Sequence, residues 1–266
     1  MPAAEAARMS LRRLLGDGAA QSPALDAAAL EAAYAHEPGR LRVNFVVTLD
    51  GAVEVGGHSG GLGGAADLEL FAALRALADV VVIGAGTARN EDYGPAWLTE
   101  ARRERRAGRG QVPLPAMAVV TRFADLDPTS RLFAERRPAQ PPPPAPLVFA
   151  SGFAPADRRD RLSEVADVRV LGDHDVDLVA MVDSLRADGL ERILCEGGPR
   201  LFGGLLRAGL VDELCLTHSP LVAGVGRTVL SQGWAPGVDE APARFTLTDL
   251  FTGDGRMFAR YQREPA

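Results

Sequence analysis

A glycine-rich stretch of this chain has residue types that suit the binding of a phosphate group. Residues 196–199, Glu-Gly-Gly-Pro, follow the apolar residues 193–195 and precede a helical pattern. Glycines let the backbone turn tightly, and Pro199 suits the first position of a helix, where no amide donor is needed. The unpaired amides and the dipole of a helix start both favour an anion. The stretch predicts a phosphate or pyrophosphate site with Glu196 at its edge, and an ordinary glycine turn is the alternative.

A second stretch has the same order of residue types. Residues 84–87, Gly-Ala-Gly-Thr, follow the apolar residues 80–83, and Thr87 is a candidate cap for the next helix. Arg89 occupies the third glycine position of the dinucleotide fingerprint, and the lack of lysine excludes a P-loop. Ligands of open α/β sheets bind outside the carboxyl ends of the strands. Two such junctions in one chain therefore indicate a nucleotide site.

Length and composition limit the class of protein. The chain has 266 residues, is 47% hydrophobic and carries a net charge of −6, which suits one large α/β domain. This charge indicates neither a nucleic acid partner nor an anionic membrane, and no apolar run is long enough to cross a bilayer. The histidines have no metal-ligand spacing. Cys195 and Cys215 lie in apolar runs and predict buried free thiols, so we expect a cytoplasmic protein without a metal centre.

The elements that must position the two glycine stretches follow from periodicity. Residues 1–36 predict a helical N-terminal extension, and residues 37–266 form the main domain. Strands are predicted at residues 40–49, 80–83, 114–121, 147–150, 168–171, 193–195 and 213–218, and helices at residues 65–78, 156–165, 176–187 and 201–208. Such alternation builds a parallel sheet, whereas residues 244–250 and 256–262 predict an antiparallel pair. The fold class is therefore α/β, with three αβα layers and a mixed, mostly parallel central sheet.

Two further stretches have simple interpretations. The proline run at residues 141–144 predicts a loop within the sheet domain, not a linker between domains. The arginine-rich residues 102–106 predict a solvated face.

Three motifs in fixed order carry a resemblance to a known family. Residues 43–51, 84–92 and 195–199 together resemble the reductase domain of riboflavin biosynthesis, a pyrimidine reductase family with a dihydrofolate-reductase-like fold. The resemblance extends over about residues 40–262. It implies that the ribosyl group of a phosphoribosylamino-pyrimidine is reduced to ribityl by NADPH. The signature of the zinc deaminase that is often fused to this reductase is absent from the sequence, which excludes deamination.

The resemblance also implies roles for individual residues. It places the nicotinamide near the backbone of Val46 and near Gly61. Thr121 and Arg122 would lie at the adenosine 2′-phosphate, for which a guanidinium is chemically suited. The other implied cofactor residues are Thr87, Glu91, Gly197, Gly198, Pro199, Arg200, Leu201, Phe202 and Gly203. The implied or candidate substrate contacts are Asn44, Asp50 and Glu196, although Asp50 precedes a glycine and is equally typical of a turn.

One feature of the family is out of register. Relatives place an arginine on the substrate phosphate shortly after the threonine motif, and residues 91–100 of this chain contain none. Either Arg102 or Arg103 replaces it, or the substrate carries no phosphate at that point. Arg75 matches a helix arginine that reaches the substrate, with a solvated charge as the alternative. No acid–base pair is evident, so catalysis is expected to rest mainly on proximity.

Alternatives in other classes stay open at this point. They are reduction of dihydrofolate or a related pterin on the same fold, a non-catalytic nucleotide-binding protein, and nucleic acid binding through the arginines of residues 102–109, which the net acidity disfavours. The leading interpretation has a small heterocyclic substrate and no membrane or nucleic acid partner. The resemblance further implies a homodimer, with residues 216–222 as the expected contact because sheet edges invite pairing.

Overall fold

Ten strands of the described residues form one sheet in the computed structural model, which describes residues 11–15, 24–138, 140–224, 226–229 and 242–264. The strands are β1 (Arg12–Leu15), β2 (Leu41–Val47), β3 (Val80–Gly84), β4 (Ala116–Thr121), β5 (Leu147–Ala150), β6 (Asp167–Val170), β7 (Ile193–Cys195), β8 (Glu213–His218), β9 (Phe245–Gly253) and β10 (Arg256–Arg263). The helices are α1 (Ala27–Ala33), α2 (Ala65–Leu77), α3 (Ala85–Asn90), α4 (Glu100–Gly108), α5 (Arg131–Ala134), α6 (Ala156–Ser163), α7 (Leu178–Ala187) and α8 (Pro199–Arg207).

The order of the strands confirms the predicted mixed sheet. It runs β1-β9-β10-β8-β2-β7-β3-β4-β5-β6, and every pair from β8 to β6 is parallel. The strands β10, β9 and β1 are antiparallel to their neighbours. Strand β5 follows the proline run and pairs with β4, which confirms that the run is a loop inside one sheet. The carboxyl ends of the parallel strands therefore lie along one edge, where ligands of such sheets bind.

Helices cover both faces of the sheet, as the continuous apolar strands predicted. On strand β3, Val81 and Ile83 pack on one face against residues of α1, α2, α5 and α6. Val80 and Val82 pack on the other face against residues of α7 and α8. A strand that is buried on both faces must be apolar at every position, and this is why β3 does not alternate. The three-layer prediction is confirmed.

The N-terminal segment departs from the helical prediction. Residues Arg12–Leu15 form β1 and pair with β9, so the helix expected there from leucine spacing is wrong. Pairing satisfies the backbone of β9, which would otherwise be an open sheet edge, and this tertiary gain overrides a weak local periodicity. The helical part is confirmed at α1, where the Asp26 side chain accepts a hydrogen bond from the Ala29 amide at 2.8 Å. Residues 1–10 and 16–23 lie outside the described residues.

A chain of ion pairs joins the parallel and antiparallel parts of the sheet. Arg42 on β2 contacts Glu213 on β8 at 2.5 Å, and Arg260 on β10 contacts the same acid at 2.8 Å. Asp249 on β9 then lies 3.4 Å from Arg260 and 3.2 Å from Arg13 on β1. Arg42 is fully buried, and a buried charge is tolerated only with such partners. The pairs thereby specify the neighbours of five successive strands.

The arginine-rich run is not a solvated face. It forms α4, a helix that the sequence pattern did not predict, and both Arg102 and Arg106 are buried. Arg106 donates hydrogen bonds to the carbonyl oxygens of Ala76 and Ala78, at the C-terminal end of α2. Carbonyls at a helix end have no partner within the helix, and arginine side chains can satisfy them. The charges of α4 thus serve packing, and nothing in this helix favours nucleic acid binding.

The expected dimer contact rested on a wrong premise. Strand β8, which contains the first residues of the 216–222 region, lies between β10 and β2 in the interior of the sheet. Among the described strands, the sheet edges are β1 and β6. Edge pairing therefore gives no reason to place a contact at residues 216–222, although Leu221 and Val222 are exposed. The homodimer itself stays a prediction.

Candidate active site

The two glycine stretches meet at the carboxyl edge of the sheet. Strands β3 and β7 are parallel neighbours, so their ends lie side by side. The Gly84 amide donates a hydrogen bond to the carbonyl oxygen of Gly197 at 2.8 Å. A Cβ atom on Gly198 would lie 2.7 Å from Oγ1 of Thr87, which is closer than real side chains approach. Thr87 is the third residue of α3 and does not cap that helix. The two stretches form a single surface.

Helix α8 begins at this surface with the predicted chemistry. Pro199 is its first residue, Gly198 precedes it, and the Gly197–Gly198 peptide bond is cis. Gly197 has a φ of +92°, and a Cβ there would lie 3.0 Å from the ring of Phe45, so only glycine fits. Since the first amides of a nine-residue helix lack acceptors within the helix, this end suits an anion.

Two of the implied cofactor residues have buried side chains. The side chains of Leu201 and Phe202 are buried against the sheet, and the Phe202 ring lies 5.4 Å from that of Phe45. The Phe202 amide donates to the Gly198 carbonyl at 3.0 Å, as the fourth residue of a helix should. These side chains hold α8 on the sheet, and the implied roles of Leu201 and Phe202 at the cofactor stay predictions.

Glu196 is fixed by two donors, and neither contact was predicted. Arg75 on α2 donates from Nε and from one terminal nitrogen to the two carboxylate oxygens, each at 2.7 Å. The Tyr93 hydroxyl donates to the same carboxylate at 3.0 Å. The Arg75 guanidinium also lies 4.1 Å from the ring centroid of Phe71. We call Arg75, Glu196 and Tyr93 the carboxylate clamp.

The carboxylate clamp corrects the interpretation of Arg75 as a solvated charge. Its side chain is only 15% exposed and that of Glu196 is 1% exposed. Burial opposes the charge of Arg75, but the Glu196 carboxylate outweighs it and raises the pKa of Arg75 above its ordinary value. Burial also raises the pKa of the Tyr93 hydroxyl. Glu196 is thus occupied as an acceptor, and its carboxylate compensates the charge of Arg75.

Asp67, in the first turn of α2, is a half-buried carboxyl that the sequence analysis did not connect with the site. Its only sequence signal was a favourable acid at a helix start. Burial raises the pKa of Asp67, opposed by the Thr217 hydroxyl and the charge of Arg256. Thr217 stands opposite Val46 in the pairing of β8 with β2, and Asn44 is two residues before Val46. Asn44 and Thr217 therefore share the sheet face on which Asp67 lies.

This face carries a buried polar atom without a partner. Within the described part of the chain, Oδ1 of Asn44 is buried and accepts no hydrogen bond, whereas the buried Thr217 hydroxyl interacts with the Asp67 carboxyl. Buried polar atoms in native proteins are nearly always satisfied, so each such atom calls for an explanation. A bound polar group at this face would provide one. The implied role of Asn44 at the substrate stays a prediction.

The carboxylates of Asp50 and Glu91 accept hydrogen bonds that join loops of the chain. Asp50 accepts hydrogen bonds from the Thr48 hydroxyl at 2.5 Å and from the amides of Ala223 and Gly224 at 3.1 and 2.7 Å. These bonds lower the pKa of Asp50 to about 2 and join two loops beside the site. Glu91 accepts from the Ser59 amide at 2.8 Å. The turn interpretation accounts for Asp50, and its contact with a substrate stays a prediction.

The remaining predicted residues lie near the carboxyl edge or open to solvent. Gly61 is exposed, with nothing within 4 Å of a Cβ built on it, and Val46 is half-buried on β2. Thr121 is buried at the end of β4, and the exposed Arg122 follows it and lies 3.4 Å from Asp175.

Arg102 and Arg103, the two candidates for the arginine that binds the substrate phosphate in relatives, are both engaged in contacts with other parts of the protein. Arg102 pairs with Glu31 and Glu69, and Arg103 donates to the Leu98 carbonyl and to Gln140. The contacts of Arg102 hold α4 to α1 and α2, and those of Arg103 hold it to the Leu98 carbonyl and the Gln140 side chain.

Neither the cysteine thiols nor a cluster of metal-ligating residues in the described ranges contributes to this site. Cys195 and Cys215 are free and buried, as predicted, and burial raises the pKa of Cys195 to about 12. In the described ranges, no group of three or more His, Cys, Asp or Glu residues is arranged to hold a metal ion. No helix in these ranges is both long and apolar enough to span a bilayer.

Comparison with known proteins confirms the resemblance carried by the glycine motifs. The model of the family described as the RibD C-terminal domain matches residues 40–257, which include both glycine junctions and the carboxylate clamp. The chain belongs to this family. The match begins just before β2 and ends within β10, so it includes the whole parallel part of the sheet.

Individual relatives of the RibD C-terminal domain family agree. The 2,5-diamino-6-ribosylamino-4(3H)-pyrimidinone 5′-phosphate reductase of Methanothermobacter thermautotrophicus is 30% identical over 198 residues, which are 74% of this chain and 85% of that protein. The reductase of the same name from Archaeoglobus fulgidus is 30% identical over 158 residues, or 59% and 69% of the two chains. A pyrimidine reductase-like protein from Corynebacterium diphtheriae is 30% identical in a superposition with a TM-score of 0.75 that covers 87% of this chain and 94% of that one.

The contact between Gly198 and Thr87 can be tested by stability. We expect Gly198→Ala to lower the free energy of unfolding by about 1–3 kcal/mol, because overpacking a tight site costs this much. Thr87→Ala removes the opposing oxygen and should restore most of the loss when the two changes are combined. Urea unfolding of the four proteins of this cycle measures the coupling. Gly86→Ala, which meets nothing within 4 Å, is the control. Strictly additive effects would show that the contact does not limit this position.

Proposed function

We propose that the chain is an NADPH-dependent reductase of riboflavin-biosynthesis type that acts on a 5-amino-6-(5-phosphoribosylamino)uracil-like pyrimidine. The observation that carries the proposal is the joined glycine surface next to the carboxylate clamp, at the carboxyl edge of a mostly parallel sheet. The names of the relatives from M. thermautotrophicus and A. fulgidus, which specify a ribosylamino-pyrimidinone 5′-phosphate, support the substrate class.

The residues at the edge fit a dinucleotide. The start of α8 offers amide donors, and Gly197 and Gly198 present backbone where Phe45 and Thr87 leave no room for a side chain. Arg122 supplies a cation near the end of β4 that suits the 2′-phosphate. When bound, the nicotinamide supplies the hydride, so the protein has to position the two reactants and exclude water.

Arg75 is the proposed hydrogen-bond donor to the substrate. The clamp keeps its guanidinium in one orientation, because the two oxygens of Glu196 hold two of its nitrogens. Stacking on Phe71 restricts the plane of the guanidinium further. A 5′-phosphate or a carbonyl oxygen of the pyrimidine can then bind without an ordering cost. On this proposal Glu196 acts through Arg75 and does not itself bind the heterocycle.

Asp67 is the proposed proton donor. Conversion of a ribosyl to a ribityl group requires that the C1′–O4′ bond breaks, that O4′ gains a proton, and that C1′ gains a hydride. The protonated Asp67 gives its proton to O4′ while the nitrogen lone pair forms the C=N bond to C1′. Hydride addition at C1′ returns that electron pair to nitrogen, and solvent returns a proton to Asp67. Oδ1 of Asn44, which has no partner, is the acceptor for a ribose hydroxyl.

The substrate is tested directly by the loss of NADPH absorbance. Turnover with the ribosylaminopyrimidine 5′-phosphate and none with dihydrofolate is the expected result, and the reverse would assign the chain to pterin reduction. The proposal includes the homodimer and the cytoplasmic location predicted from the sequence. A monomer mass by light scattering at micromolar concentration would reject the homodimer.

Arg122→Ala tests the choice of cofactor. We expect the dissociation constant for NADPH to rise about 10- to 100-fold, the usual worth of a hydrogen bond to a charged group, while that for NADH changes less than about twofold. Binding is followed by the fluorescence of the reduced nicotinamide. Arg161→Ala, at an exposed arginine of α6, is the control. Equal losses for both cofactors would remove Arg122 from the 2′-phosphate.

Glu196→Gln tests the clamp. A neutral amide has one acceptor oxygen and cannot hold both nitrogens of Arg75, so we expect kcat/KM for the pyrimidine to fall about 10- to 100-fold. NADPH affinity should be unchanged. Glu135→Gln, which alters another arginine-paired acid, is the matched control, and melting temperatures report any loss of folding. Tighter NADPH binding with normal turnover would instead make Glu196 a neighbour of the phosphates.

Asp67→Asn tests the proton donor. Because the pKa of Asp67 is raised and its acid form is required, wild-type kcat should decrease as pH rises through this pKa. The variant should lose about 100-fold in kcat and lack this decrease. The Thr217 hydroxyl and the charge of Arg256 both lower the pKa of Asp67. Thr217→Val removes the first of these, so it should move the decrease in kcat to higher pH. Asp183→Asn, at an exposed acid of α7, should behave as wild type. An unaltered pH profile in Asp67→Asn would contradict the assignment.

A further inference from the structure

Two phenylalanine rings are exposed at the carboxyl edge of the sheet, where neither the clamp nor the glycine surface uses them. Phe123 is 44% exposed and follows β4, and Phe153 is 55% exposed and follows β5. The rings touch edge to face, with centroids 5.9 Å apart. The His174 ring, from the loop after β6, lies 5.9 Å from Phe153. We call these three residues the aromatic patch.

The aromatic patch is held in place by its loops. The Gly152 and Phe153 amides donate to the carbonyl oxygens of Gly172 and Asp173, each at 2.8 Å. The Ser151 hydroxyl donates to the Arg122 carbonyl at 2.8 Å. These bonds tie the loops after β4, β5 and β6 to one another. A ligand that binds the patch therefore has little ordering cost to overcome.

A cation accompanies the rings. The Arg122 guanidinium lies 5.2 Å from the ring centroid of Phe123 and 5.5 Å from that of Phe153. Its ion partner is the exposed Asp175, at 3.4 Å. Apolar rings beside a guanidinium suit a flat aromatic ligand that carries negative charge.

The position of the aromatic patch relative to the glycine surface decides what this ligand is. Strands β7, β3, β4 and β5 are successive neighbours, so the patch begins about 10 Å from Gly198 along the same edge, at about 4.8 Å per strand. A dinucleotide lies along this edge in open α/β sheets. With a pyrophosphate at the start of α8, the ends of β4 and β5 would be the surface that receives the adenosine half.

We propose that the Phe153 ring, supported edge to face by Phe123, is the platform on which the adenine ring of the dinucleotide stacks, and that Asp175 tunes the affinity for its 2′-phosphate by competing for Arg122. This inference rests on the proposed dinucleotide cofactor. Base–aromatic stacking is a strong contact wherever a base meets an exposed ring. The phosphate must displace the Asp175 carboxylate from the guanidinium, so an ion pair present in the ligand-free protein weakens binding of the 2′-phosphate.

The experiment measures binding of 2′,5′-ADP and 5′-ADP by calorimetry, so it does not depend on activity. Phe153→Ala should weaken both ligands about tenfold, and Phe153→Tyr, which keeps the ring, should bind them as wild type does. Asp175→Asn should bind 2′,5′-ADP several-fold more tightly and leave 5′-ADP unchanged. Val112→Ala is the control, because Val112 is 56% exposed and precedes β4 at the opposite end of that strand.

The outcomes separate the two proposals. Unchanged 2′,5′-ADP affinity in both Phe153→Ala and Phe123→Ala, with NADPH bound by the wild type, would overturn the platform and leave the dinucleotide cofactor standing. Loss in Phe153→Ala that Phe153→Tyr does not recover would also overturn it, since the ring would not be the cause. Wild-type protein that binds neither 2′,5′-ADP nor NADPH would reject the proposed function together with the platform.

Discussion

The hydrogen bond between the Gly84 amide and the Gly197 carbonyl is the contact on which the site depends. It brings the ends of β3 and β7 together at the point where both strands turn into helices. No side chain fits at Gly197 or Gly198, because Phe45 and Thr87 occupy the space. Backbone is therefore the only surface that α8 can present there, which suits a ligand that binds amides. The clamp lies on one side of this contact, and the end of β4 lies on the other.

The site carboxyls differ because their partners differ. Glu196 accepts from Arg75 and Tyr93, and Asp50 accepts from the Thr48 hydroxyl and two amides, so each is held as a structural acceptor. Asp67 has only the Thr217 hydroxyl and the more general field of Arg256 to oppose its burial. Carboxyls in different environments are how one site obtains both fixed charges and a proton donor. In our proposal this contrast lets the same site position the substrate through Glu196 and protonate it through Asp67.

Local pattern was sufficient where burial is simple. Strand β3 is apolar at every position because helices cover both faces. The turn before α8 is recognisable because glycine followed by proline is typical of a helix start. Local pattern was insufficient where a distant element sets the environment. The run that contains Arg102 and Arg106 is typical of a solvated surface, yet Arg106 is buried because it donates to the end of α2, and Arg102 is buried between Glu31 and Glu69. Strand β1 formed where leucine spacing favoured a helix because β9 offered an edge.

The sequence by itself determined the α/β class, the order of the parallel strands along the chain, the two glycine junctions and the family, since each depends on residues close together in the chain. Only the tertiary structure decided that Glu196 serves Arg75, that Asp67 faces Thr217, and that β8 is an interior strand. These outcomes join residues far apart in the chain. The charge, burial and partner of each side chain are set by the neighbours that folding brings to it, and no local pattern encodes those neighbours.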